Sequence, residues 1–109
     1  MSARLVADAV TAARQARDAQ TAHALRHAVG DFIGIIGAVP DEQAHSLSAG
    51  DTRLLQSLGQ DVIDGIEEHV ASSANDARAQ SLVISIYEIR RLLEEVDRWH
   101  RHYSVARHV

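Results

Sequence analysis

Strong helix breakers are scarce in this chain of 109 residues, which contains one proline and six glycines. No segment shows the strict alternation of apolar and polar residues that is typical of a half-buried strand. Ser2 can cap a first helix, and neither glycine nor proline follows before Gly30. These signals predict an all-α fold with three main helices, the first one long, at about 3–37, 51–71 and 76–103. We expect residues 38–50, which include Pro40, to form a loop that holds at most one short helix.

The apolar side chains are mostly small. Hydrophobic residues make up 46% of the chain, but eighteen of them are alanines and only four are aromatic. A chain of this length buries roughly two-thirds of its unfolded surface, so we expect one helical domain over 1–109 whose backbones pack closely. The absence of cysteine excludes disulfides, thiolate metal sites and cysteine nucleophiles.

Charge is distributed unevenly along the chain, although the formal total is only −4. Residues 1–29 carry a net charge of +2, residues 30–74 carry −7 and residues 75–109 carry +1. An acidic middle third repels phosphate backbones, so nucleic acid is not an expected partner. The longest apolar run, from Ala28 to Val39, is too short to span a bilayer. Without a signal-peptide pattern at the start, we expect a cytoplasmic protein with no membrane partner.

The first predicted helix has apolar residues on two sides. If it is continuous, one stripe within about 80° of arc carries mainly small side chains. Its residues are Leu5, Ala9, Ala12, Ala16, Ala19, His23, His27, Gly30, Gly34 and Gly37. Leu25, Val29, Phe32 and Ile36 lie on the opposite side. In the last predicted helix, Val83, Ile84 and Tyr87 lie outside the apolar seam. One small domain cannot easily cover these surplus faces, so we expect a homodimer that completes the bundle.

Candidate contact residues follow from this interpretation. Trp99, beside arginines, has the composition of an interface hot spot, and the nearby arginines are suited to an anion or an acidic partner. We predict an interface that contains Ala9, Ala12, Ala16, Ala19, Phe32, Ile36, Val83, Tyr87, Trp99 and Tyr103. We predict an anion- or partner-binding cluster of Arg90, Arg98 and Arg101.

A short pattern around His23 offers an alternative function. Residues 22–34 read AHALRHAVGDFIG, which resembles the phospho-accepting H-box of histidine-kinase dimerisation domains and, more loosely, histidine phosphotransfer domains. The matching residues are His23, Leu25, Arg26, Val29, Phe32 and Gly34. The acid and the proline of that pattern are replaced by Ala24 and Ala28. The resemblance implies a relay protein in which His23 accepts and returns a phosphoryl group.

Histidine spacing suggests a further alternative. His23 and His27 lie four residues apart, so two imidazoles on one helix face could share a metal ion. Asp97 and His100 could complete the site from a facing helix. The simpler interpretation is that these histidines lie on the surface and pair with acids. In that case the protein has no metal and no other cofactor.

Other enzyme signatures are missing from the sequence, which has no phosphate-binding glycine loop and no evident nucleophile–base pair. We therefore expect no catalytic residue and no catalysis. The expected function is protein–protein interaction by a small adaptor, inhibitor, immunity or chaperone-like protein.

Overall fold

A computed structural model describes residues 2–39, 47–73 and 75–108, with side chains over 4–39, 47–73 and 75–101. The predicted all-α helical bundle is confirmed, and the described residues contain no strand. The helices are α1 (Ser2–Asp18), α2 (Ala22–Gly37), α3 (Ala49–Ser72), α4 (Ala77–Ser81) and α5 (Val83–His108). Residues 40–46, at the centre of the predicted loop 38–50, lie outside the described residues.

The first predicted helix is two helices, so the prediction of one helix over 3–37 is wrong. The chain turns at residues 19–21, where Thr21 has extended backbone angles (φ −126°, ψ 155°) and caps α2. Its side-chain oxygen accepts a hydrogen bond from the backbone N–H of Ala24 at 3.1 Å. This hydroxyl replaces a backbone acceptor that the first turn of a helix lacks. The turn therefore forms without glycine or proline, the breakers on which the prediction relied.

The other helix boundaries also differ in detail from those predicted. Helix α3 begins at Ala49 rather than near Asp51, because Ser48 caps it and Asp51 completes a reciprocal capping box. The helix predicted over 76–103 is interrupted at Leu82, which separates α4 from α5. Asp76 caps α4 by accepting the backbone N–H of Arg78 at 2.9 Å.

The turn at residues 19–21 allows α1 to fold back along α2, so the alanine stripe lies inside the protein. Ala9, Ala12 and Ala16 are at most 4% exposed, and Phe32 and Ile36 are completely buried in the same core. The prediction that these five residues form a dimer interface is therefore wrong. Their small or apolar side chains pack within one chain, while Ala19, at the turn, is half-buried.

Helices α3 and α5 approach closely where α3 has no side chain. Gly59 is buried beside Leu93 of α5. One turn earlier, the side-chain amide of Gln56 donates a hydrogen bond to the carbonyl of Leu93 at 2.9 Å. This contact fixes the relative position of the two longest helices, and one candidate site lies between the end of α3 and the start of α5.

Candidate functional site

Helix α5 presents two large apolar side chains to solvent near its start. Ile84 is 72% exposed and Tyr87 is 67% exposed. Beside them, between the end of α3 and the start of α5, lies a shallow depression of about 320 Å³. Its lining consists of Glu67, Val70, Ala71, Val83, Ile86, Tyr87 and Arg90. We call Ile84, Tyr87 and this depression the α5 surface. It retains Val83 and Tyr87 from the predicted interface, and adds Ile84.

Charged residues of both signs continue along the outer side of α5. The described part of the helix contains ion pairs between Arg91 and Glu95 (3.1 Å) and between Arg101 and Asp97 (2.7 Å). Arg90 pairs across to Glu67 of α3 at 3.8 Å. Two members of the predicted anion cluster, Arg90 and Arg101, therefore already face carboxylates within the chain, and the structure does not show that cluster as one basic site.

The other predicted contact residues of α5 lie farther along the helix. Arg98 is exposed, and Trp99 is 38% exposed. The side chain of Tyr103 lies outside the described residues, so its predicted interface role stays a prediction. The α5 surface at the start of the helix thus contains the largest exposed apolar area on the described part of α5.

The residues of the alternative metal site do not come together. His23 and His27 are exposed on α2, and the nearest acid to His27 is its neighbour Asp31, with Nε2 and Oδ2 3.9 Å apart. Asp97 lines a different depression, beside Gln56 and Gln60 of α3. Among the described residues, no three histidines or carboxylates are grouped closely enough to hold a metal ion. The predicted metal site is therefore wrong. The spacing of His23 and His27 places both on α2, but it does not determine which residues of other helices lie opposite them.

His23 has different neighbours from those predicted. It was expected on a closely packed stripe, but its side chain is exposed in the first turn of α2. Together with Ala22, Arg26 and Arg78 it lines a depression of about 330 Å³. We call this the α2–α4 depression. Exposure meets one requirement of a phosphorelay histidine, but no carboxylate of the described residues lines this depression. Arg78 comes from α4, and no sequence signal connected it with His23.

Comparisons with known proteins leave the function to be argued from the structure. No family model matches the chain, and no match was found among curated proteins or among solved structures. Across the residues that the structure describes, no helix combines the length and apolar character needed to cross a bilayer.

Proposed function

We propose that this protein is a non-catalytic helical module that acts by protein–protein contact, and that it forms a homodimer through the α5 surface. The observation that carries the proposal is the exposure of Ile84 and Tyr87 beside an apolar depression. Exposed apolar clusters of this kind are typical of interaction sites. In a two-fold contact the same patch faces itself, so each copy offers apolar side chains to the depression of the other.

The charges around the patch support a second copy as the occupant. Glu88, Arg91, Glu95 and Arg98 share the outer side of α5 and sum to zero formal charge. A surface with one dominant charge would repel its own copy, whereas a mixed surface allows opposite charges to meet. The formal charge of this face therefore gives no net repulsion between two copies.

The size of the patch predicts a weak and reversible dimer. Burying one large apolar side chain contributes about 1.5–3 kcal/mol. Four partly exposed side chains, two from each copy, then contribute about 4–8 kcal/mol, against an association cost of about 4 kcal/mol or more. The difference is at most about 4 kcal/mol, so we expect a dissociation constant of about 1 mM.

Several hydroxyl side chains among the described residues have structural uses, which supports a function without catalysis. Thr21 and Ser48 cap helices. Thr52, Ser72 and Ser81 donate to backbone carbonyls within their own helical regions. None of these hydrogen bonds joins a hydroxyl to a general base, the arrangement that activates a nucleophile.

Sedimentation equilibrium tests the proposal. We expect the mass of wild type to rise from monomer towards dimer as the concentration approaches about 1 mM. Ile84→Asp places a charge in the contact and should remain monomeric. Leu54→Asp is the matched control, because Leu54 is also an exposed apolar residue, 38% accessible, but lies near the start of α3.

Two results would contradict the proposal. One is a wild-type protein that stays monomeric over the whole concentration range. The other is Leu54→Asp lowering the mass as much as Ile84→Asp, since the α5 surface would then not be the contact. Circular dichroism of both variants checks that each retains wild-type helicity.

A further inference from the structure

The α2–α4 depression gathers basic side chains from segments that are far apart in the sequence. His23 and Arg26 belong to the start of α2, and Arg78 belongs to α4. All three are exposed and line the same depression. Its volume of about 330 Å³ lies at the lower end of the range for small-molecule sites.

The two arginines have no ionic partner in the described part of the chain. Neither guanidinium lies within 4.0 Å of a described carboxylate, whereas Arg90, Arg91 and Arg101 each do. Asp76 is the acid nearest to Arg78 in sequence, but one of its oxygens accepts the backbone N–H of Arg78 as the cap of α4. The chain has fifteen acidic residues and a net charge of −4, yet the charged residues in the described lining of this depression are both arginines.

Two guanidinium groups and an imidazole provide hydrogen-bond donors that suit a tetrahedral oxyanion. Arginine binds phosphate oxygens in a bidentate manner, and charge-assisted hydrogen bonds are the strong ones. A phosphate monoester carries a charge of about −1.5 to −2 at neutral pH and three acceptor oxygens. We propose that the α2–α4 depression is a reversible binding site for a phosphate group, held by Arg26, Arg78 and His23.

The volume also indicates the class of ligand. The depression is large enough for a phosphate group with a small organic substituent, which would lie against Ala22. Free phosphate offers the same oxyanion without that substituent. The site is separate from the α5 surface, and the proposal does not depend on dimerisation or on phosphorylation of His23.

Titration monitored by ¹⁵N–¹H NMR at constant ionic strength tests this site. The probes are inorganic phosphate and phenyl phosphate, each up to about 10 mM, with benzoate as a carboxylate control. We expect both phosphates to shift the amide signals of residues 22–26 and 78, and benzoate to shift them less. Tighter binding of phenyl phosphate would identify an ester as the preferred source of the phosphate group, and equal binding would identify free phosphate.

Variants locate the site. Arg78→Gln should weaken phosphate binding about tenfold or more, because it removes a charge-assisted contact. Arg53→Gln makes the same change at an exposed position on α3, outside both proposed sites, and should leave the affinity unchanged. His23→Gln should weaken binding without abolishing it, since both arginines remain.

Three outcomes would overturn the proposal. The first is that neither phosphate compound shifts the amide signals of this site. The second is that benzoate shifts them as much as the phosphates do. The third is that Arg78→Gln and Arg53→Gln weaken phosphate binding equally. Ile84→Asp should bind phosphate as wild type does, so a failure of the dimer proposal and a failure of this one can be told apart.

Discussion

Gly59 and Gly65 lie in the same helix but have opposite surroundings, which allows a matched test of the α3–α5 contact. A Cβ atom at Gly59 would overlap Cδ1 of Leu93 and lie 3.3 Å from its Cγ. A Cβ atom at Gly65 would meet nothing within 4 Å. Replacing each glycine by alanine therefore makes the same chemical change in a crowded and in an open place.

The two substitutions should change the free energy of unfolding in different ways. Alanine is about 1 kcal/mol more favourable than glycine inside a helix, and Gly65→Ala should gain this in full. Gly59→Ala gains the same helix term but pushes on Leu93, and overpacking of this kind costs about 1–3 kcal/mol. Its net effect should lie between no change and a loss of about 2 kcal/mol.

Thermal unfolding followed by circular dichroism measures both effects. For a domain of this size 1 kcal/mol corresponds to about 4–8 °C in melting temperature, so Gly65→Ala should melt that much higher and Gly59→Ala should not. Leu93→Val removes Cδ1, the atom that the added Cβ at position 59 would overlap. In a protein that carries Leu93→Val, Gly59→Ala should therefore become stabilising. If Gly59→Ala raised the melting temperature of the wild-type background as much as Gly65→Ala, Leu93 would be free to move, and Gly59 would not set the helix approach.

Two further predictions concern the turn before α2 and the relay alternative. Thr21→Ala removes the cap seen in the structure and should lower the free energy of unfolding by about 0.5–2 kcal/mol, measured by urea unfolding. Thr21→Ser is the control, because it retains the hydroxyl. Equal stability of Thr21→Ala and wild type would show that the hydroxyl does not hold the turn. Because none of the described carboxylates lines the depression around His23, we expect a phosphorelay kinase to label wild type no more than His23→Gln. An acid-labile label confined to wild type would instead favour the relay.

The fold class could be predicted because the relevant signals are local. Scarce breakers and helical spacing of apolar residues are enough to indicate a helical bundle. The sequence pattern does not predict the turn at 19–21, because a lone threonine cap is a weak signal: the capping-box position three residues later is Ala24, not Glu or Gln. At the start of α3 the pair Ser48 and Asp51 provides the stronger form of the same signal, and there the error was only two residues.

The candidate sites depend on tertiary structure to different degrees. Ile84 and Tyr87 lie outside the apolar seam of their helix, so their exposure follows from the sequence pattern and is seen in the structure. The neighbours of His23 do not follow from any pattern, because they depend on where α4 packs against α2. Helical spacing alone places Arg26 near His23, because the two residues are three positions apart. Arg78 lies near His23 only because of the tertiary structure.

The turn at 19–21 also changes what association requires. In a continuous first helix, one chain could not cover both the stripe of small residues and the opposite side with Phe32. Such a chain would have to dimerise to complete its hydrophobic core. With α1 folded onto α2, Phe32 and Ile36 are buried within one chain, and the most exposed large apolar side chains of the described residues are Ile84 and Tyr87 of the α5 surface. Obligate dimers often lack a stable monomer, whereas this core is complete in one copy. In the proposed dimer, Ile84→Asp should therefore separate the two copies without unfolding the monomer. If the variant lost helicity as well as apparent molecular mass, the core would depend on the partner copy.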